Sequence, residues 1–509
     1  MMSDLNWHDL VASCEREPIA HVGMIQPHGI LVSTNDSGII DLVSENSLQL
    51  GYQPHELLGR SAAEEFAPFT SHHELQRCLS KRQSIVLDFQ RPEAIRSMAL
   101  SVTPTSGRVF FEFEPQFEGQ TWEDASNRLS YQSLPQEFQS MEDACQELAE
   151  TIQRMTGYDH VMVYRFFEDW SGEVIAEART EESAPTYRHM RFPASDIPKN
   201  ARQLYQKNPL RMIPHVDYRP YRLLTSGSFS ESSIDLTMAQ LRSVSPLHLE
   251  YLRNMQVTSS LSFSILFGNQ LWGLVNCHHR QPRWLHPLLR NSATQWVHTF
   301  SLGLRSFIAV QENRTHFELD DDMALLSRNV HWTTSGLSLD GGCAQQLLDI
   351  MGACGFAFCN DQDIYRWGET PDEETIQKLW DPLQIDQTRQ SFATDCIRDR
   401  YRSFEHWDQP ISGLLIDQVR FLPSPGQWSQ AIIWFRKEWS SSIAWAGQPE
   451  KLVRTNAQGE LQLHPRRSFQ AWKEQTKGRS QAWSVYEKIA SRKIMRFLSA
   501  VIPFTASTL

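Results

Sequence analysis

The sequence predicts an α+β chain of three domains built on antiparallel sheets, and three observations carry that expectation. A length of 509 residues is enough for about three separate cores. Short runs of β-favouring residues face one another across turn residues, as hairpins do. Between the hairpins lie stretches with helical spacing. The expected division is 1–125, 126–315 and 316–509.

Composition narrows the function. A hydrophobic content of 40% and a charged content of 21% are ordinary for globular protein. The net charge of -12 argues against nucleic acid and anionic membrane as partners. No run of 18 apolar residues and no basic, apolar leader is present, so the chain reads as soluble and cytoplasmic. The eight cysteines, at 14, 78, 145, 277, 343, 354, 359 and 396, lack the short paired spacings of a zinc site or a disulfide framework. Reduced thiols and no metal site are expected.

In chain order, residues 1–25 show little periodicity and hold Cys14 in CEREPIAHVGMIQPHG. If extended, this arm carries the thiol far from its own domain, at about 3.3 to 3.6 Å per residue. GILVST, the turn NDSG at 35–38 and IIDLVS form a hairpin, and SENSLQLGYQPHELLG gives short helices. SIVLDF at 84–89 and RVFFEFEP at 108–115 are further strands. The second domain opens with a helix through 142–157, then the strands HVMVYRF at 160–166 and EVIAEAR at 173–179 across a DWSG turn. Residues 215–245 form a long connection without strong period until LTMAQLR.

Between these lies RFPASDIP, Arg191 to Pro198, stiffened by two prolines and followed by the helix-like KNARQLYQKNPLR. Two readings of it stand. Ser195 and Asp196 are placed to cap the helix, with Pro198 in its first turn. Alternatively the rigid loop presents a carboxylate and backbone groups to a ligand. Later, SSLSFSILFG at 259–268 alternates Leu261, Phe263, Ile265 and Phe267 with Ser260, Ser262 and Ser264. Its partner LWGLVNCHH puts Trp272, Leu274, Asn276 and His278 on one side. The polar row either lines a pocket or faces solvent. In RSVSPLHLEYLRNM, His248 and Tyr251 share a helix face near Arg242, Ser245 and Arg253. A cation and a histidine in the same domain as an acidic loop and a hydroxyl row favour an anionic chromophore or nucleotide as ligand.

Taken in order, CEREP with IQPHG, VMVYRF with GEVIAEAR, RFPASDIP, RSVSPLHLEYLRNM, SSLSFSI and LWGLVNCHH resemble the bacterial phytochromes that bind biliverdin. FELDDDMALLSRNVHW, WFRKEW and PRRSF are similar to that family's third domain. The resemblance implies a photosensory core with a PAS-like domain at 1–125, a GAF-like domain at 126–315 and a PHY-like domain at 316–509. It further implies a tongue at about 430–472, an N-terminal arm knotted through the second domain, and a red/far-red photoreceptor function.

Residue by residue, the likeness implies a thioether between Cys14 and the vinyl side chain of biliverdin IXα. The backbone carbonyl of Asp196, with Ile197 beside it, and His248 would sit at the pyrrole nitrogens. His278 would bond the carbonyl of the rotating ring, which Tyr164, Phe192 and Tyr251 would surround. Arg211, Arg242, Tyr205, Ser245, Ser260 and Ser262 would hold the two propionates. Arg466 would pair with Asp196 in one state only, with Trp434 in the same switching tongue.

A helical stripe through Trp296, Phe300, Leu304, Phe307 and Val310 predicts a long connecting helix. Trp483, Tyr486, Ile489, Ile494, Phe497 and Val501 predict a C-terminal exit helix, with a homodimer seam or a plain surface as its destination. The segment Ala20-His21-Val22 departs from the family's usual pattern. No ATP loop, histidine-kinase box or cyclase run is seen, so no enzymatic output is expected within the chain, and an output domain or response partner downstream of Leu509 is. Two other functions compete: a sensor of the GAF type that binds a cyclic nucleotide without colour, and a cysteine hydrolase on Cys14. The second lacks a third orienting group beside His28.

Overall fold

The computed structural model describes residues 17–117, 138–180, 185–226, 233–326, 329–333, 336–339, 342–360, 363–385, 391–400, 410–421, 428–439, 441–449, 452–455 and 461–501. Cys14 therefore lies outside the described residues. The chain divides into two compact units. Met1–Arg305 and Ala444–Trp472 make the first, and Ser306–Ile443 and Lys473–Leu509 make the second.

The first unit contains two sheets. In one, the strands run in the order Met24–Ile25, Tyr221–Thr225, Ile40–Ser44, Ile30–Thr34, Arg108–Pro115, Met98–Thr105, Ile85–Phe89. The hairpin at 30–44 is closed by Asn35, whose Oδ1 accepts from Ser37 N at 2.9 Å and Ile39 N at 3.1 Å. One face packs Val32, Val43, Phe111 and Phe113 against short helices. The other packs Ile25, Leu31, Leu42 and Phe110 against Leu223, Leu236 and Leu241. The long 215–245 connection is thus not without structure. Its strand Tyr221–Thr225 pairs with Met24–Ile25 on one side and Ile40–Ser44 on the other. Five residues are too few to show a period, which is why the sequence did not mark it.

The close approach of this connection leaves no room at Gly29. A Cβ there would come within 2.8 Å of both Leu241 methyl carbons and of the Phe113 carbonyl oxygen. Gly29→Ala is expected to lower stability by about 1 to 3 kcal/mol through overpacking, read as a lower urea midpoint. An unchanged midpoint would contradict the packing.

The second sheet has the order Leu210–Ile213, Ser259–Phe267, Gln270–His279, His160–Phe166, Gly172–Arg179, Arg191–Phe192, with Trp445 pairing beside Arg191. Helix Met141–Thr156 packs on it through Leu148 and Ile152. It starts at Ser140, whose Oγ accepts from Asp143 N at 3.0 Å. A helix runs from Pro287 to Leu326, burying Trp296, Phe300 and Leu304 and exposing Val310.

The second unit is built on strands in the order Ile364–Gly368, Gly355–Cys359, Trp428–Lys437, Ile411–Phe421, Ser391–Thr394. This corrects the expectation for 430–439. That run is a central strand, paired on both sides, and not an arm of an excursion. Trp434 is fully buried there and donates its Nε1–H to Ser491 Oγ at 2.9 Å. The excursion's strands are instead Ser441–Ala446 and Ala471–Thr476, with an inner hairpin Leu452–Thr455 to Leu461–His464.

Arg436, one residue pair beyond Trp434, spends its whole guanidinium. Nε donates to Gly352 O at 3.0 Å, and Nη1 to Gln481 O at 3.1 Å and Ala482 O at 3.2 Å. Nη2 meets Met351 O and Glu487 Oε1, each at 2.7 Å. Helix Val485–Val501 turns Ile494 and Leu498 into the same core, with Tyr486, Ile489 and Phe497 half-buried against it. No helix among the described residues is long and apolar enough to cross a membrane.

Candidate functional site

The register of the second sheet assembles the floor of a cavity. Ser260 pairs with His278 and Ser262 with Asn276. Leu274 pairs with Tyr164 and Asn276 with Met162. Period two puts all of these side chains on one face, and that face lines the cavity. The hydroxyl row is therefore a pocket wall and not a solvent stripe. Leu261, Phe263 and Ile265 point the other way, into core.

Helix Pro246–Asn254 forms another wall. His248 and Tyr251 are three residues apart and stack with ring centroids 6.1 Å apart at 11°. Helix Lys199–Lys207 adds Leu204 and Tyr205, and the loop before it adds Phe192, Asp196 and Ile197. Glu17 and Ile19 of the N-terminal arm and Pro465 complete the lining. The space left unfilled by protein is about 1580 Å³, its open mouth included.

The electrostatics are lopsided. Arg211 and Arg242 both line the cavity. Arg211 Nη1 donates to Gln240 O at 2.9 Å and Arg242 O at 3.2 Å. Arg242 donates to Ile19 O, and its buried Nε has no partner among the described residues. Burial lowers the pKa of Arg211, and burial and the adjacent Arg211 lower that of Arg242. Glu17 Oε2 accepts from Ser245 Oγ at 2.9 Å. Burial, then Arg211, brings His248 down to about 4, and burial, then His160 and His248, brings His278 down to about 3. Both imidazoles are neutral at pH 7. Tyr164 is raised by burial, and its buried hydroxyl has no partner among the described residues.

Asp196 settles the two readings of its loop. Helix Lys199–Lys207 has Pro198 at its cap position and no side-chain cap bond, so the capping reading of Ser195 and Asp196 is corrected. The carboxylate is turned to Arg466, with Tyr251 Oη donating to its Oδ2 at 3.2 Å. Both members of the ion pair are nearly sealed from water, at 4% and 3% side-chain exposure. Arg466 Nη1 also donates to Ala446 O at 2.5 Å and Gly447 O at 3.1 Å. Gly447 has φ +83 and lies where a Cβ would strike the Ser468 carbonyl, so only glycine fits this turn. Around the pair, Phe469 meets Tyr251 edge-on at 5.1 Å and the Arg466 guanidinium lies 5.2 Å from the Phe469 centroid. Asn254 Nδ2 donates to Arg466 O at 3.0 Å, and Trp445 pairs with Arg191 in a short parallel ladder.

Buried neutral histidines make the protein acid-sensitive. His28, His248 and His286 are each brought down to about 4 and His278 to about 3, chiefly by burial. Below 6.5 the unfolded chain takes up protons that the folded one refuses. Stability is full above that pH and falls as pH drops toward 4. Glu112, pushed by burial to about 7, works the other way, gaining stability as pH falls from 7 to 4.5. The four imidazoles, joined by Glu177 held down to about 2, outweigh Glu112 and the raised Asp417, so stability is lost as pH falls toward 5. The urea midpoint is expected to fall clearly between pH 7 and pH 5, and a flat or rising midpoint would refute the balance.

Tyr164, Phe192, Asp196, Ile197, Tyr205, Arg211, Arg242, Ser245, His248, Tyr251, Ser260, Ser262 and His278 all converge on this cavity. Arg466 reaches it through Asp196. Trp434 does not, since it is buried in the core of the second unit. Cavity residues that the sequence reading left without a role include Glu17, Ile19, Met162, Leu204, Asn276 and Pro465. The alternation of 160–166 and 271–279 already held the signal for Met162 and Asn276. Glu17 and Pro465 fall within CEREP and PRRSF, but nothing local placed them or Ile19 in the cavity.

Comparison with known proteins agrees along the whole chain. The family models described as PAS fold, GAF domain and phytochrome region match residues 14–116, 140–301 and 337–505. The chain is 30% identical to cyanobacterial phytochrome B of Nostoc over 97% of its own length and 66% of that protein's. It is 32% identical to a bacteriophytochrome of Pseudomonas aeruginosa over 95% of its length and 66% of that relative's. It thus spans about two thirds of the length of these curated relatives. Among solved structures, a bacteriophytochrome from the photosynthetic bacterium R. palustris superposes with a TM-score of 0.80 at 30% identity, covering 97% of this chain and 100% of that one. The photosensory core module of a Stigmatella aurantiaca phytochrome gives 0.79 at 29% identity, covering 96% and 97%.

Proposed function

The chain belongs to the phytochrome family, and from that premise we propose that it is a red/far-red photoreceptor whose first unit holds biliverdin IXα, linked covalently through Cys14. The observation that carries the ligand class is the pair of buried guanidinium groups, Arg211 and Arg242, at the edge of a largely apolar cavity. A buried cation is costly without an anion beside it. One acid of the lining, Asp196, is committed to Arg466, and the other, Glu17, accepts from Ser245. An elongated apolar ligand with carboxylates at one side meets that demand, and a linear tetrapyrrole with two propionates has this form.

The bound pigment supplies absorption of red light and a double bond that isomerises beside its last ring. Arg211 and Arg242, with Tyr205, Ser245, Ser260 and Ser262, hold the propionates. His248, neutral at pH 7, and the Asp196 carbonyl accept from the pyrrole nitrogens and so favour their protonated, cationic form. His278 donates to the carbonyl of the last ring, inside a cage of Tyr164, Phe192 and Tyr251. The Asp196 carboxylate and Arg466 latch the 444–472 excursion to this loop. A changed ring orientation acts only through contacts that differ between the two states. In this reading the latch opens in one of them. The chain works in the cytoplasm as a homodimer, with its N-terminal arm threaded through the 215–245 connection and an output module or partner beyond Leu509.

The test is the absorption spectrum after incubation with biliverdin, before and after red and far-red light, with zinc staining of the denatured band. Reversible colour and a stained band are expected. Cys14→Ala is expected to take up pigment without a stained band, and persistent attachment would remove Cys14 from the assignment. No uptake by the unsubstituted protein would overturn the reading and bring forward a colourless anionic ligand such as a cyclic nucleotide.

A further inference from the structure

We propose that Glu112, on a strand of the first domain and outside the cavity, is a positioning residue for the propionate site, because it fixes the backbone that aims Arg211 and Arg242. The inference rests on the tetrapyrrole reading above and deepens it.

Glu112 is completely buried, and its Oε1 accepts from Leu241 N at 2.7 Å. Its other oxygen, Oε2, is buried with no hydrogen-bond partner among the described residues. The carbonyls on either side of Leu241, those of Gln240 and Arg242, are the two that receive Arg211 Nη1. Arg242 is itself the next residue of that segment. Glu112 thus pins the middle of three residues whose outer two hold one arginine by their carbonyls and whose last carries the other on its own Cα.

The opposite side of the segment is clamped by the N-terminal arm. Gln26 N donates to Leu241 O at 2.7 Å, Ser243 N to Met24 O at 3.0 Å, and Gln26 Nε2 to Met212 O at 3.0 Å. A buried carboxyl is an expensive way to cap one amide N–H group, and an amide side chain would do so at lower cost.

A structural brace between domains and a positioning residue for an anion site differ in one respect. A brace affects every ligand alike, whereas Glu112 acts on the arginines and so on carboxylates. The experiment is titration of the Cys14→Ala protein, in which binding is reversible, with biliverdin and with biliverdin dimethyl ester, which lacks both carboxylates. Glu112→Ala is expected to weaken biliverdin by about tenfold or more, the worth of one hydrogen bond to a charged group, and the ester by less than about twofold. Glu112→Gln keeps an oxygen for Leu241 N and is expected to restore most of the loss. Glu112→Asp, which withdraws the carboxylate by one methylene but disturbs folding least, is expected to show the same selectivity at smaller amplitude. Equal weakening of both pigments in Glu112→Asp, or no weakening in either variant, overturns the proposal while leaving the photoreceptor reading intact. Failure of the Glu112-containing protein to take up either pigment overturns both.

Discussion

Arg466→Ala is expected to free the 444–472 excursion from the cavity loop, seen as faster amide exchange across residues 441–476. The reason is the imbalance that the substitution leaves. Asp196, at 4% side-chain exposure, would lose its cation while the Tyr251 hydroxyl stays at 3.2 Å. Removing one member of a buried pair costs about 3 to 5 kcal/mol when the other stays buried. The excursion can escape most of that by lifting away and letting water reach the carboxylate. The Ala446 and Gly447 carbonyls lose their donor in the same step. A cycle with Asp196→Ala should show coupling of about 2 kcal/mol or more, against about 0 to 1 for an exposed pair. With pigment bound, the dark absorption should change little while photoconversion or its thermal stability weakens. Unchanged exchange in Arg466→Ala would remove the latch from the mechanism.

Arg436→Met is expected to destabilise the second unit by about 3 kcal/mol or more. The aliphatic stem is retained, so the loss reports the guanidinium. Four carbonyls and the Glu487 carboxylate lose their donor together. These acceptors come from the end of helix Cys343–Met351, from residues 481–482 and from the start of the last helix. Arg436 is what joins them around Trp483, over whose ring it lies at 3.9 Å. Arg436→Lys is expected to recover little, since an ammonium cannot reach so many acceptors. A melting temperature unchanged in Arg436→Met would contradict this account.

Much of the cavity was legible because strands alternate. Ser260, Ser262 and His278 fall on one side of a two-residue period, and the register brought them together as the period required. His248 and Tyr251 were legible by the same logic at helical spacing. Where reading failed, tertiary context overrode a local pattern. In RVFFEFEP the alternation of Phe with Glu reads as core and solvent, yet Glu112 and Glu114 are both buried, Glu114 against Trp284 and Arg290. The run AIIWF around Trp434 falls within the expected tongue at about 430–472, although five consecutive apolar residues without alternation mark a strand buried on both faces. All five are fully buried. Asp196 looked like a helix cap because its true partner is too far along the chain for any local pattern to show.

That separation has a consequence in time. Arg466 follows Asp196 by 270 residues. At the pace of protein synthesis, about 5 to 20 residues per second, the acid is made about 14 to 54 s before its cation. Once residue 279 has been made, for the rest of that interval, the strands and helices that line the cavity can fold, but Pro465 and Arg466 do not yet exist to cover it. Pigment present at the ribosome meets an unroofed site, and pigment added to finished protein meets a latched one. The two routes of assembly should therefore differ in rate, even though they end in the same complex.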